Sequence, residues 1–341
     1  MSIVHSAAAA NPVLEPVLTV ENMVVAYGSA AQPVYAVDHV SFSLRPGEMM
    51  GVIGESGCGK STMAYALMNL LPSSARMVGG RISMQGVGDI SGLSEREWEV
   101  IRGSKIAMVF QAAQSMFNPL MQLGKQMKNV LNAHRVNVAE GMERGRQLLK
   151  KAQLDPDRVL RAYPHELSGG MRQRVSVVFS ILLKPDLLIL DEPTTALDVL
   201  SQNTVLELIS ELRRDTPVTT MFITHDFSVV ASLSDRIAVM YAGKLVEIAP
   251  TKDIYKNPQH PYTAALTRAI PELDAPLTDL VAIPGQPPNL ADPPPGCRFA
   301  PRCPLAIDQC RNEDPPWTTD AVNNGVACWR SGEQPEVMDV E

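Results

Sequence analysis

The run Gly54-Glu55-Ser56-Gly57-Cys58-Gly59-Lys60-Ser61-Thr62 has the Gly-x-x-x-x-Gly-Lys-Ser/Thr spacing of a phosphate-cradling loop. Glycines at 54, 57 and 59 let backbone N–H groups come close to phosphate oxygens, and the helix that follows turns its positive dipole end toward the anion. Lys60 is the point charge for the β- and γ-phosphates, Ser61 the hydroxyl for Mg²⁺, and Thr62 a hold on the α-phosphate. An ordinary glycine-rich turn is the plain alternative. The strand-like Gly51-Val52-Ile53 before the loop and the apolar, helix-compatible residues from Met63 to Leu71 after it favour the phosphate site.

Three further points carry chemistry. The apolar run Leu187-Leu188-Ile189-Leu190 ends in Asp191-Glu192-Pro193, which places a Mg²⁺-binding carboxylate, Asp191, beside a carboxylate fit to take a proton from water, Glu192. The run Val218 to Thr224 ends in His225, able to hydrogen-bond both a phosphate and a water, and Ile106 to Gln111 ends in an amide that reaches metal or water. A second glycine turn, Leu167-Ser168-Gly169-Gly170-Met171-Arg172-Gln173-Arg174, opens another helix. There Ser168, Gly169 and Gly170 form an anion-binding start with Gln173 one turn on. Two phosphate sites with one lysine-bearing loop make sense if each site is completed by another subunit. Asp198, opening the next helix, lies near the site or a subunit boundary. Tyr27, after the first strand, either stacks on adenine or is a half-buried strand-end tyrosine.

These residues need a scaffold. The short apolar runs ending in functional residues read as a parallel sheet, with the residues 187–193 strand at its centre. Residues 14–27, 34–44 and 79–85 alternate as an antiparallel flank, and 237–241 with 244–248 as a closing hairpin. Between Ala112 and Pro164 the pattern is helical and of mixed charge, with Arg144, Arg146, Lys150 and Lys151 on a solvated face. The fold class is therefore α/β with a helical insertion.

Composition narrows the function. A 341-residue chain has room for two domains, and a net charge of −7 argues against a protein that coats nucleic acid. No run of 18 apolar residues marks a membrane span, and the start lacks the basic region of a signal peptide. Residues 1–16 read as a disordered tail, and the compartment as cytoplasmic.

Residues 17–250 resemble the nucleotide-binding domain of an ATP-binding cassette (ABC) transporter. The resemblance rests on the loop 54–62, Gln111, the signature residues 167–174, the Asp191-Glu192 pair, Ala196 to Asp198 and His225. It implies a P-loop NTPase (RecA-like) core with an antiparallel flank and a helical subdomain at about 112–168. It also implies ATP held between one subunit's loop and its partner's signature, with Gln111 and His225 sensing the γ-phosphate and Gln111 also reaching Mg²⁺. Beyond 250, Tyr255, Asn257-Pro258, His260-Pro261-Tyr262-Thr263, Ile270-Pro271 and Gly296-Cys297 to Cys303-Pro304 are similar to the C-terminal region of ATPases serving oligopeptide, dipeptide and nickel importers. Leu71-Pro72 and Gly79-Gly80 look like the first of two paired ATPases. The implied partners are two transmembrane permease subunits, a second non-identical ATPase and an extracytoplasmic solute-binding protein, with the chain peripheral on the cytoplasmic face of the membrane. Nickel and oligosaccharides are the alternative solutes. Ala112-Ala113 depart from the Asp-Pro that relatives often carry after the glutamine. No long coiled-coil insertion points to DNA repair, and no second cassette to a translation factor.

Cys297, Cys303, Cys310 and Cys328 fall in a Pro-rich segment with little periodicity, so residues 251–341 read as a small, irregular Cys-rich region. Four thiolates can hold a [4Fe–4S] cluster or zinc, although no close Cys-x₂₋₄-Cys pair favours zinc. The resemblance implies the cluster. Cys58 reads as a small filler within the phosphate loop.

Overall fold

A computed structural model describes residues 15–111, 116–216, 218–269, 283–320 and 324–333. Most of the expected N-terminal tail, and the departure at Ala112-Ala113, lie outside the described residues. The alternation of the first residues folds as β1 (Leu18–Tyr27) and β2 (Val34–Leu44), antiparallel partners with Leu18 opposite Leu44. β3 (Met49–Ile53) leads into the glycine loop, after which α1 (Lys60–Leu67) begins. β4 (Ala75–Met84) pairs with the other side of β1, and β5 (Gly88–Asp89) closes a sheet of order β2-β1-β4-β5. β4 starts before the expected residue 79. Its first residues alternate only between half-buried and exposed, which leaves no apolar pattern to read.

Helix α2 (Glu95–Ile101) was not anticipated, although Ser94 and Glu97 form a capping box at its start. β6 (Ile106–Val109) follows, and then the expected helical subdomain: α3 (Leu123–Ala133), α4 (Val138–Lys151) and α5 (Pro156–Arg161). Asn137 and Asp155 cap the last two by accepting first-turn backbone N–H groups. α6 (Gly169–Ile181), β7 (Leu187–Asp191), α7 (Val199–Asp215), β8 (Thr219–Ile223), α8 (Phe227–Leu233), β9 (Arg236–Tyr241) and β10 (Lys244–Pro250) complete the nucleotide-binding part.

Strands β9-β3-β8-β7-β6 run parallel in that order, so β7 lies inside the sheet and all its residues are buried. Buried on both faces, these strands alternate between two cores. Met49 and Ile53 of β3 face the layer that holds α3 to α7, while Met50 and Val52 face the layer that holds α1 and the antiparallel sheet. The residues just beyond β3, β6, β7 and β8 therefore emerge at one edge, the C-terminal edge of the parallel strands, where open α/β sheets bind their ligands.

The region after residue 250, expected to be small and irregular, packs into the main core. α9 (Thr251–Lys256) and α10 (Pro261–Arg268) bring Ile254 and Tyr262 into the main core, and Phe299 joins them. After α11 (Asp308–Asn312), β11 (Trp317–Thr319) and β12 (Gly325–Ala327) extend the large sheet, with Val326 opposite Glu247 of β10. Strands of three residues are too short to show a period of two in sequence. Among the described residues no helix is long and apolar enough to cross a membrane.

Candidate active site

The glycine loop bridges β3 and α1 at the edge of the parallel strands. Gly59 sits at φ 106°, and a Cβ there would lie 2.1 Å from the Ala36 carbonyl oxygen, so only glycine lets the loop press against β2. The Lys60 ammonium is buried inside the loop, donating to the carbonyl oxygens of Gly54 (2.7 Å) and Glu55 (3.0 Å). Its cation thus stands where phosphate oxygens would replace two carbonyls. Cys58 is buried beside it, 3.7 Å from the ammonium, and burial pushes its thiol up, in keeping with a filler role.

Ser61 donates to Asp191 Oδ1 at 3.1 Å, joining the start of α1 to the end of β7. Asp191 is fully buried, and its Oδ2 has no hydrogen-bond partner. Burial pushes the carboxyl up to about 6, only partly offset by the Ser61 hydroxyl and Lys60. A buried carboxylate with an open oxygen beside a serine hydroxyl is a donor set that suits a divalent cation.

Glu192 lies one residue on, with φ 47°. Its carboxylate accepts from Gln111 Nε2 (2.8 Å) and the Thr195 hydroxyl (2.8 Å), and His225 Nδ1 lies 3.3 Å away. Burial alone would raise this carboxyl, but Thr195 and then His225 outweigh it and hold it below its ordinary value. Gln111, Glu192 and His225, expected from three separate strand ends, thus meet around one carboxylate. Thr195 was not expected. The signal for it was a hydroxyl three residues after Glu192 in a tight turn, where the Thr195 N–H also bonds the Glu192 carbonyl.

Ser168 caps α6, its hydroxyl accepting from Met171 N. A Cβ on Gly170 would come within 2.6 Å of Ser201 Oγ, so the glycine turn packs tightly on the start of α7. Gly169 lies beside Leu197, and Gln173 is buried with its Nε2 lacking a hydrogen-bond partner. Asp198 caps α7 through Ser201, a helix-start role rather than one at the nucleotide loop. The Tyr27 hydroxyl lies 3.3 Å from Thr62 Oγ1, which ties the end of β1 to the loop. Ser56 and Gly57 follow Glu55 in the loop. The Glu55 main-chain N–H, expected among the phosphate donors, is instead taken by the Tyr262 hydroxyl.

All five cysteines are free thiols. Cys297, Cys303, Cys310 and Cys328 line one small cavity with Phe299, Ala300 and Leu305. Burial pushes Cys303 up to about 12 and Cys328 up to about 11. Among the described residues no set of three or more His, Cys, Asp or Glu side chains is gathered to hold a single metal ion.

Comparison with known proteins agrees with this geometry. A family described as "ABC transporter" matches residues 37–195, and one described as "Oligopeptide/dipeptide transporter, C-terminal region" matches 246–310. The chain is 42% identical over 328 residues to the dipeptide transport ATP-binding protein DppD of Bacillus subtilis, covering 95% of this chain and 97% of that one. It is 40% identical over 336 residues to the oligopeptide transport ATP-binding protein OppD of Salmonella typhimurium, covering 98% and 99%. Among solved structures, a bacterial ABC transporter cassette in dimeric form superposes with a TM-score of 0.61 at 26% identity, over 69% of this chain and 98% of that one. The same cassette is also known in a dimeric post-hydrolysis state bound to ADP and Pi, with the same TM-score of 0.61. A nucleotide loop, paired carboxylates, signature turn and C-terminal region in one chain thus meet relatives aligned over nearly its whole length, and the chain belongs to the ABC transporter family, in the group with the oligopeptide/dipeptide transporter C-terminal region.

Proposed function

We propose that this chain is the ATP-hydrolysing subunit of a binding-protein-dependent importer of di- and oligopeptides. In this reading it docks on two transmembrane permease subunits at the cytoplasmic face, beside a second, non-identical ATPase, and an extracytoplasmic protein delivers the solute. The observation that carries the hydrolytic part is the convergence of Lys60, Ser61, Asp191, Glu192, Gln111 and His225 at one sheet edge. The peptide solute is supported by the C-terminal match and by the relatives' names.

Lys60 would exchange its two loop carbonyls for phosphate oxygens, which anchors the nucleotide without moving the helix. Ser61 and Asp191 would hold Mg²⁺, since the unpartnered Asp191 oxygen and its burial cost are both answered by a cation. When bound, that ion neutralises charge building on the phosphates. Glu192, kept ionised by Thr195 and His225, is the base that takes a proton from the attacking water. Gln111 and His225, both on Glu192, would register the γ-phosphate. Ser168, Gly169, Gly170 and Gln173 would face the nucleotide held by the partner ATPase's loop, with Asp198 at that boundary and Tyr27 near the adenine.

The cysteine cavity is proposed to hold a [4Fe–4S] cluster in a structural role. Burial raises the Cys303 and Cys328 thiols, and iron would hold them as thiolates. Cys297, Cys303, Cys310 and Cys328, which line the one cavity, would be the cluster's ligands.

The test is to tag the chain, purify it anaerobically from native membranes in mild detergent and identify what accompanies it. Two transmembrane subunits, a second ATPase and peptide-stimulated ATP hydrolysis are expected. Reproducible isolation without membrane subunits would overturn the importer assignment.

A further inference from the structure

Among the described residues, the region after residue 250 reaches back into the phosphate loop through hydrogen bonds to Glu55. Arg302 lies on the short turn Ala300–Arg302, between Cys297 and Cys303, and only 8% of it is exposed. Its guanidinium donates to both Glu55 carboxylate oxygens (2.8 and 2.9 Å), to the Tyr241 hydroxyl (3.1 Å) and to the Pro284 carbonyl (2.7 Å). It also stands 5.7 Å from the centre of the Tyr241 ring. From α10, the fully buried Tyr262 accepts the Glu55 main-chain N–H at 3.0 Å. The remaining polar group of Glu55, its carbonyl, accepts from Lys60 and from the Cys58 N–H. The second residue of the loop is therefore clamped by side chain and backbone from outside, while its carbonyl holds the Lys60 ammonium.

We propose that Arg302 and Tyr262 are positioning residues for the phosphate loop, and that through them nucleotide affinity depends on the order of the four-cysteine segment. The second half rests on the cluster reading given above. A bidentate guanidinium–carboxylate pair fixes orientation as well as distance, which a flexible loop needs before it can present its amides to phosphate. If the clamp opens so that the competent loop is populated a tenth of the time, affinity falls about tenfold. The route from the cysteines is short. Arg302 precedes Cys303 directly, and Phe299, which shares the cysteine cavity, packs edge-on against Tyr241 and at a tilt against Tyr262, with ring centres 5.3 Å apart in both cases. Whatever orders that cavity orders the aromatic group on which Arg302 and Tyr262 rest. A purely structural tie predicts lost stability alone. The clamp predicts lost nucleotide affinity in a folded protein.

The experiment uses the full chain purified with its membrane partners and reads three quantities: the dissociation constant of a fluorescent ATP analogue, KM and kcat for ATP, and iron content. Arg302→Met is expected to raise KM and the dissociation constant about tenfold while kcat stays within about twofold and iron is unchanged. Glu55→Gln should weaken nucleotide binding to a similar degree, and the double variant should be little weaker than Arg302→Met alone, since both break the Arg302–Glu55 pair. Arg302→Lys should recover part of the loss. Tyr262→Phe keeps the ring packing and loses only the acceptor, so it tests the clamp even if Arg302→Met fails to fold. Unchanged affinity in Tyr262→Phe and Glu55→Gln, or additive losses in the double variant, would overturn the positioning role. Cys303→Ser is expected to lose iron and nucleotide affinity together. Lost iron with unchanged affinity overturns the coupling alone. Absence of iron and sulfide from the unaltered protein overturns the cluster reading and the coupling with it, and leaves the positioning role to the Arg302 and Tyr262 variants.

Discussion

Glu192 shows how much of this site depends on single side chains. Its carboxylate has Thr195 and Gln111 as donors and His225 close by, so the proposed base is held in place before a water attacks. Glu192→Gln should keep ATP binding and lower turnover by roughly 10²–10⁴-fold, the scale of a general base. Near-normal hydrolysis in that variant would remove Glu192 from the role. Thr195→Val removes one hydrogen bond to a charged group, worth about 1.5 kcal/mol, and should slow single-turnover hydrolysis about tenfold without changing ATP binding. An unchanged rate would mean that Thr195 only shapes the turn. Lys60, Ser61, Asp191 and Glu192 were legible in sequence because their spacing is fixed by local loop geometry. Arg302 was not, because it meets Glu55 across a separation of 247 residues, and nothing short in the sequence marks that meeting.

At the scale of elements, the parallel strands were legible because burial on both faces leaves them uniformly apolar, whereas α2 and the first half of β4 carry no such run. One polar contact nevertheless fixes how the strands meet. Arg236, the first residue of β9, donates to Glu48 just before β3 at 3.1 Å, and both side chains are almost fully buried. Glu48 also accepts the Arg45 N–H across the turn. Arg236→Met strands a buried carboxylate and should cost about 3–5 kcal/mol in denaturant unfolding. Adding Glu48→Gln should recover part of that loss. A single variant as stable as the parent would show that packing alone sets this junction.

Across the whole molecule, the region after residue 250 was legible by its resemblance but not in its packing, since it read as small and irregular and shares the core. His260 reports on that sharing. It is buried, and its Nδ1 accepts the Tyr262 N–H at the start of α10, so the ring is neutral and burial pushes its pKa down to about 3. The unfolded imidazole takes up a proton near pH 6.5. Its contribution to stability is therefore complete above pH 6.5 and is lost as pH falls toward 3, by about 1 kcal/mol between pH 6 and 5. Glu247, which accepts the His260 N–H, is raised by burial and acts in the opposite direction. The comparison with His260→Asn, which keeps a capping acceptor, isolates the imidazole. Denaturant titrations at pH 7, 6 and 5 should show a shallower loss in the variant, and equal slopes would sink the assignment.

The pairing of β12 with β10 also bears on synthesis. β10 is made long before residues 325–327, so its outer edge of unpaired amides and carbonyls stays open while the rest of the chain leaves the ribosome. During that interval the nascent cassette can accept a foreign strand. The β11–β12 hairpin then pairs with β10 and covers that edge.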